Sequence, residues 1–162
     1  AADGPGESPP VSWHGLPAEA TTAVLLVEDA DSPTPHPLVH AIVVDLPAQD
    51  GVLAGGAMPS PDHEGDGTLR MGRNSYLQAS WLPPDPPPGH GMHRYAFQVF
   101  ALRDGEAFSD TPGRDELIER LRERAIASGL LIGTFERPDA SIPDRDAETV
   151  PSPLTPLTPA AG

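Results

Sequence analysis

A chain of 162 residues has room for one domain with a core of its own, and too little for two ordinary ones. Its 24 acidic residues stand against ten arginines and no lysine, for a formal charge of −14, and such a surface repels phosphate backbones and excludes nucleic acid and anionic membranes as general partners. No cysteine is present to form a disulfide framework or do thiol chemistry, and no apolar run is long enough for a transmembrane helix.

The first ten residues, AADGPGESPP, have neither the positive start nor the apolar centre of an export signal, so a cytoplasmic location is expected. Runs rich in valine, isoleucine and aromatics follow at 22–28 (TAVLLVE), 39–46 (VHAIVVDL), 94–102 (RYAFQVFAL) and 130–135 (LLIGTF), and each predicts a strand. The first two are almost continuously apolar, as in a sheet covered on both faces. In the third, His93, Tyr95, Phe97 and Val99 share a face by the period of two. Residues 47–92 are dominated by turn formers and read as long loops, the kind that carry function in a compact domain.

One segment has helical spacing. In 111–129, TPGRDELIERLRERAIASG, residues Leu117, Ile118, Leu121 and Ala125 form an apolar stripe. Thr111 is the expected N-cap, Pro112 falls in the first turn, Glu116 and Arg120 are placed to pair, and Gly129 is the expected stop. The arginines read as a solvated face interleaved with acids. From residue 138 the pattern ends in a Pro/Thr/Ser-rich run, so the expected organisation is one domain over 1–137 and a disordered tail over 138–162.

Three polar clusters border predicted strands: EDADSP (28–33) follows the first, HPLVH (36–40) enters the second and GHGMHRY (89–95) enters the third. Pairing of these strands would gather Asp29, His40 and His93 at one sheet end, with Tyr95 beside His93. Imidazole and phenol donate hydrogen bonds to an anion without a permanent charge, and a carboxylate such as Asp29 orients a histidine. The trio matches a facial metal triad in residue type. It lacks a helical His-x-x-x-His, however, and no metal or other cofactor is expected, because no cofactor fingerprint, phosphate loop or nucleophile motif occurs. His14, His36, His63 and His90 fall in loops and are expected to be exposed; Trp13 and Trp81 read as packing residues, and Arg73 with Asn74 as loop braces.

Taken in order, SPPVSWHGLPAEATTAVLLVEDADSP, HAIVVDLPA, GRNSY, PPPGHGMHRYAFQVFAL and GLLIGTFER resemble the phosphatidylethanolamine-binding protein family, in particular its bacterial Raf kinase inhibitor-like branch, over about residues 8–137. The resemblance implies a mainly β fold, a central antiparallel sheet packed on a smaller sheet with a helix near the C-terminus. It implies a small pocket for phosphate-like anions or head groups, lined here by Asp29, Ser32, Pro33, His40, Pro86, Pro87, His93 and Tyr95. Where the family places rings beside the pocket histidine, this chain has Leu38, Val39 and Ala41, which predicts a wider pocket. The expected function is therefore a small-ligand binding protein with an anion pocket and a regulatory role. The alternative is an enzyme in which His40 and His93 act as acid and base on a small organic substrate, with Asp29 orienting one of them. A homodimer is implied by the same resemblance. If imidazolium groups are the donors, affinity for a phosphate-type ligand should strengthen as pH falls from about 8 to about 6.

Overall fold

The computed structural model describes residues 6–137. The expected tail over 138–162 lies outside the described residues. Eight elements follow in chain order: β1 (Val11–Trp13), β2 (Thr22–Asp29), β3 (Leu38–Pro47), β4 (Gly51–Leu53), β5 (Arg70–Gly72), β6 (Met92–Leu102), α1 (Arg114–Arg124) and β7 (Ala125–Glu136). The fold is mainly β, as the periodicity and the family resemblance led us to expect. A five-stranded antiparallel sheet has the order β5-β3-β2-β6-β7, and β1 pairs with β4 in a second, two-stranded sheet.

The continuously apolar strands β2 and β3 lie inside the large sheet, and each of its faces has its own core. On one face Leu25, Val27, Ala41, Val43 and Phe97 pack with Val11 and Leu53 of the small sheet and with Met58 and Trp81 from the long loops. On the other, Val24, Leu26, Ile42, Val44 and Leu102 pack with Phe108 and with Leu117 of α1. Burying side chains on both faces is why these strands show little alternation of polar and apolar residues. Two short strands, β4 and β5, lie within the stretch expected to be loop; three residues are too few to show a period. Gly72 of β5 lies so close to the Pro112 carbonyl and to Ile42 that a Cβ there would overlap both.

The helix is shorter than the 111–129 expected. Gly113, still extended at φ −91° and ψ 179°, is the N-cap, without a side-chain cap, so Thr111 does not cap it. The Pro112 carbonyl instead accepts the Arg73 N–H at 2.8 Å, which ties this stretch to β5. At the other end Ala125 enters β7 at once, and Gly129 lies opposite Val99 as a strand residue, not a helix stop. Eleven register positions against β6 outweigh the helix propensity of Ala125–Ser128.

The arginines of α1 also differ from expectation. Arg120 and Arg124 are buried. Arg124 donates to the carbonyls of Arg103 (3.0 Å) and Glu106 (2.7 Å), and Arg120 to the Glu106 carboxylate (2.7 Å), so both hold the 103–108 loop against the helix. Glu116 does not pair with Arg120; its carboxylate accepts from the Ser109 N–H and hydroxyl at 2.7 and 2.6 Å. A helical projection shows which residues share a face, but not the loop that folds onto it.

Strand β7 forms one edge of the large sheet, and its large side chains Ile126, Leu130, Leu131, Ile132 and Phe135 are all exposed, Leu130 and Leu131 at 66% and 60%. Its only charged residue is the terminal Glu136.

Candidate functional site

The site forms where β2 ends and β3 and β6 begin. Asp29 lies opposite Tyr95 on one side and Leu38 on the other, so antiparallel pairing brings the three polar clusters together. The turn after β2 is held by its own acids. One oxygen of Asp29 accepts the Asp31 N–H at 2.8 Å, and the other lies 2.7 Å from Nδ1 of His93. Asp31 in turn receives Nε and a terminal nitrogen of Arg94 at 2.8 and 2.7 Å, together with the Arg94 N–H at 2.8 Å. That guanidinium holds the Asp31 carboxyl well below the usual carboxylate range.

His40 reaches the pocket through an irregularity of β3. Val27 pairs with Ala41 and the next residue, Glu28, with Val39, so His40 is the extra residue of a β-bulge. Val39 and Ile42 both belong to the helix-side core, whereas Ala41 packs on the opposite face. Strict alternation would put His40 with Ile42, beneath the helix. The bulge turns it instead to the side of His93 and Tyr95, a re-aiming that bulges commonly perform beside functional sites.

The His40 ring is held on several sides. Its Nδ1 lies 2.6 Å from the Leu82 carbonyl oxygen, while the Leu82 N–H donates to the His40 carbonyl at 2.8 Å. Tyr95 meets the ring edge-on at 5.1 Å and Trp81 lies 6.0 Å away. Rings from the 81–95 segment thus surround a histidine whose strand neighbours are aliphatic. Burial pushes the His40 pKa below its ordinary 6.5, although the Leu82 hydrogen bond and the Asp29 charge oppose the shift. Tyr95 is raised far above 10 by burial and then by Asp29, Asp85 and Asp31, so its phenol keeps its proton.

These groups line a pocket of about 300 Å³. All eight residues named from the sequence border it: Asp29, Ser32, Pro33, His40, Pro86, Pro87, His93 and Tyr95. Thr34, Leu38, Tyr76, Leu82, Pro83 and Asp85 complete the wall and were missed. Tyr76 lies in the GRNSY motif and Leu82, Pro83 and Asp85 in the proline-rich run, so position within known motifs was the available signal.

Residues 1–136 match the sequence profile of the family described as phosphatidylethanolamine-binding protein. The chain belongs to that family. A UPF0098 protein of Aquifex aeolicus is 31% identical over 83% of this chain and 77% of its own length. The phomoidride biosynthesis cluster protein B of a fungus is also 31% identical, over 82% of this chain and 67% of its own. Among solved structures, a phosphatidylethanolamine-binding protein homologue from Chlamydia trachomatis superposes with a TM-score of 0.73 at 31% identity, covering 85% of this chain and 86% of that one.

In this family member His14, His36, His63 and His90 are exposed, and His90 comes within 6.4 Å of the His93 ring without lining the pocket. Trp81 is buried against Phe97. Asn74 braces its own loop, accepting from the Tyr76 and Gln78 N–H groups and donating to the Ser80 carbonyl. No three His, Asp or Glu side chains are grouped to hold a metal ion among the described residues. Nor does any helix among them have the length and apolarity to cross a membrane.

Proposed function

We propose that this chain is a small-ligand binding protein whose pocket takes a phosphate-type oxyanion, free or as part of a head group, in a regulatory, cytoplasmic role. The observation that carries the reading is the convergence of His40, His93 and Tyr95 on one small cavity with proline walls. A phenol locked in its protonated form is a fixed donor, and preformed walls keep the ordering cost of binding low. Calorimetric titration with inorganic phosphate and phosphoethanolamine tests it. Binding that disappears in His93→Ala, with the fold retained, supports the reading; no heat with either ligand overturns it.

A second reading has its own observation. The buried Asp29–His93 contact at 2.7 Å is an orienting carboxylate on a candidate general base, the arrangement an acid–base enzyme uses. The fungal relative named for a biosynthesis cluster adds support. Native mass spectrometry of the protein from its own host separates the two. A co-purified metabolite whose mass changes on incubation, and does not with Asp29→Asn, favours catalysis.

A homodimer belongs to the same proposal. The exposed β7 edge, whose one charge is the terminal Glu136, supports it, since unpaired edges with little charge and no proline invite pairing. Two-fold pairing of β7 with its copy, five large apolar side chains on each, would bury on the order of the 800 Å² per partner of a specific interface. Sedimentation of wild type and Leu131→Lys tests it, and a wild-type monomer at the highest soluble concentration overturns it.

A further inference from the structure

We propose that the pocket selects a ligand that donates a hydrogen bond to Nε2 of His40, so that phosphate, which keeps a P–OH at neutral pH, binds and the isosteric, fully ionised sulfate is rejected. This rests on the oxyanion reading above and narrows it to a phosphate that keeps a P–OH, which a head-group diester lacks.

The argument starts from a backbone carbonyl. Leu82 O can only accept, and Nδ1 of His40 lies 2.6 Å from it, so Nδ1 carries the proton. In the neutral ring the other nitrogen is then a lone pair. That nitrogen, Nε2, is buried and has no partner among the described residues, on a side chain only 2% exposed. Buried polar atoms are almost always satisfied, and an orphan in a ligand cavity points to a partner that arrives with the ligand.

The ring has little freedom to reverse these roles. The reciprocal His40–Leu82 backbone bond fixes the strand edge, and Tyr95 and Trp81 flank the ring. A flip would present Nε2–H to the ligand only by breaking the carbonyl bond. Protonation would also turn Nε2 into a donor, but burial opposes it. The charged and titratable groups facing His40 are Asp29 of β2, His93 and Tyr95 of β6, and Asp85 of the proline loop. The two carboxylates are the negative members; Asp85 is paired with Arg137 at 3.1 Å and Asp29 with His93 at 2.7 Å. A fully ionised oxyanion would therefore leave that buried lone pair without a donor. One that retains a hydroxyl satisfies the lone pair.

Sites built around a substrate hydroxyl reject analogues that lack it by large factors, because the buried partner is left unpaired. Calorimetric titration of the full chain with inorganic phosphate and with sulfate, at pH about 7.5, tests the inference, with a preference for phosphate of about 100-fold or more expected. In His40→Gln the amide can turn its NH₂ toward the ligand, and the ratio should fall to within several-fold as sulfate affinity rises. Equal affinities in the wild type, or tighter sulfate, overturn the inference and leave the oxyanion reading standing. A preference unchanged in a folded His40→Gln assigns the acceptor to another group, and so also overturns it. Binding of neither anion overturns the reading on which it rests. If His40→Gln does not fold, the wild-type ratio decides.

Discussion

Asp29 and His93 are 64 positions apart in sequence, yet their side chains meet at 2.7 Å in the interior. The contact joins the end of β2 to the start of β6 and takes one of the two ring nitrogens out of reach of a ligand. Truncation by Asp29→Ala leaves Nδ1 of His93 buried without its acceptor. Unfolding in urea should show a loss of about 3 kcal/mol, typical of breaking a buried pair from one side. A loss below about 1 kcal/mol would mean that water replaces the carboxylate freely.

The His40 titration predicts a pH dependence of stability. Its folded pKa lies below the unfolded 6.5, so the unfolded chain binds more protons between the two values and stability rises with pH there. The contribution is complete above 6.5 and is lost as pH falls through the lower folded value. Denaturation midpoints measured from pH about 7 down to about 5 should therefore decline, and His40→Gln should flatten the slope. Asp31 acts in the same direction, but only in the more acidic range below its ordinary value of 3.8. The same shift revises the expectation that His40 becomes an imidazolium near pH 6.5. Any strengthening of phosphate binding over that interval is therefore not due to His40.

Arg124 and Arg122 lie two positions apart on α1 and should respond very differently to truncation. Arg124 is buried, bonds two carbonyls and lies 5.8 Å from the centre of the Phe108 ring. Arg124→Ala should cost about 2–3 kcal/mol, because two carbonyls lose a charged donor, while Arg122→Ala should stay within about 0.5. Equal effects in chemical denaturation would refute the bracing role. Lysine at 124 should rescue little, since it lacks the forked donor geometry.

Leu77 occupies the left-handed region at φ 60°, with its side chain 74% exposed. Its N–H closes a turn onto the Asn74 carbonyl at 2.9 Å. Asparagine tolerates that conformation better than leucine does, so Leu77→Asn should raise stability by about 0.5–1 kcal/mol. Calorimetric melting checks it. A lower midpoint would indicate that the leucine is covered in the native assembly.

The sequence by itself determined the mainly β class and the four apolar runs that form β2, β3, β6 and the later part of β7, because these depend on local period, while ordered motifs named eight residues that the structure places on one pocket wall. Asp29, His93 and Tyr95 were legible together, since β2 and β6 pair without interruption at their ends. His40 was legible only as a residue in a motif. Alternation along β3 points it at the helix, and the bulge that turns it depends on how β2 and β3 pair, a relation between strands that neither one carries alone. The same limit applies to α1, where pairing with β6 decided that Ala125 begins a strand and the 103–108 loop decided that two arginines are buried. The Leu82 carbonyl, 42 positions from His40, is a backbone atom without a residue-type signature. Only the tertiary structure could bring it to Nδ1, and with it decide that Nε2 of His40 is left as an acceptor.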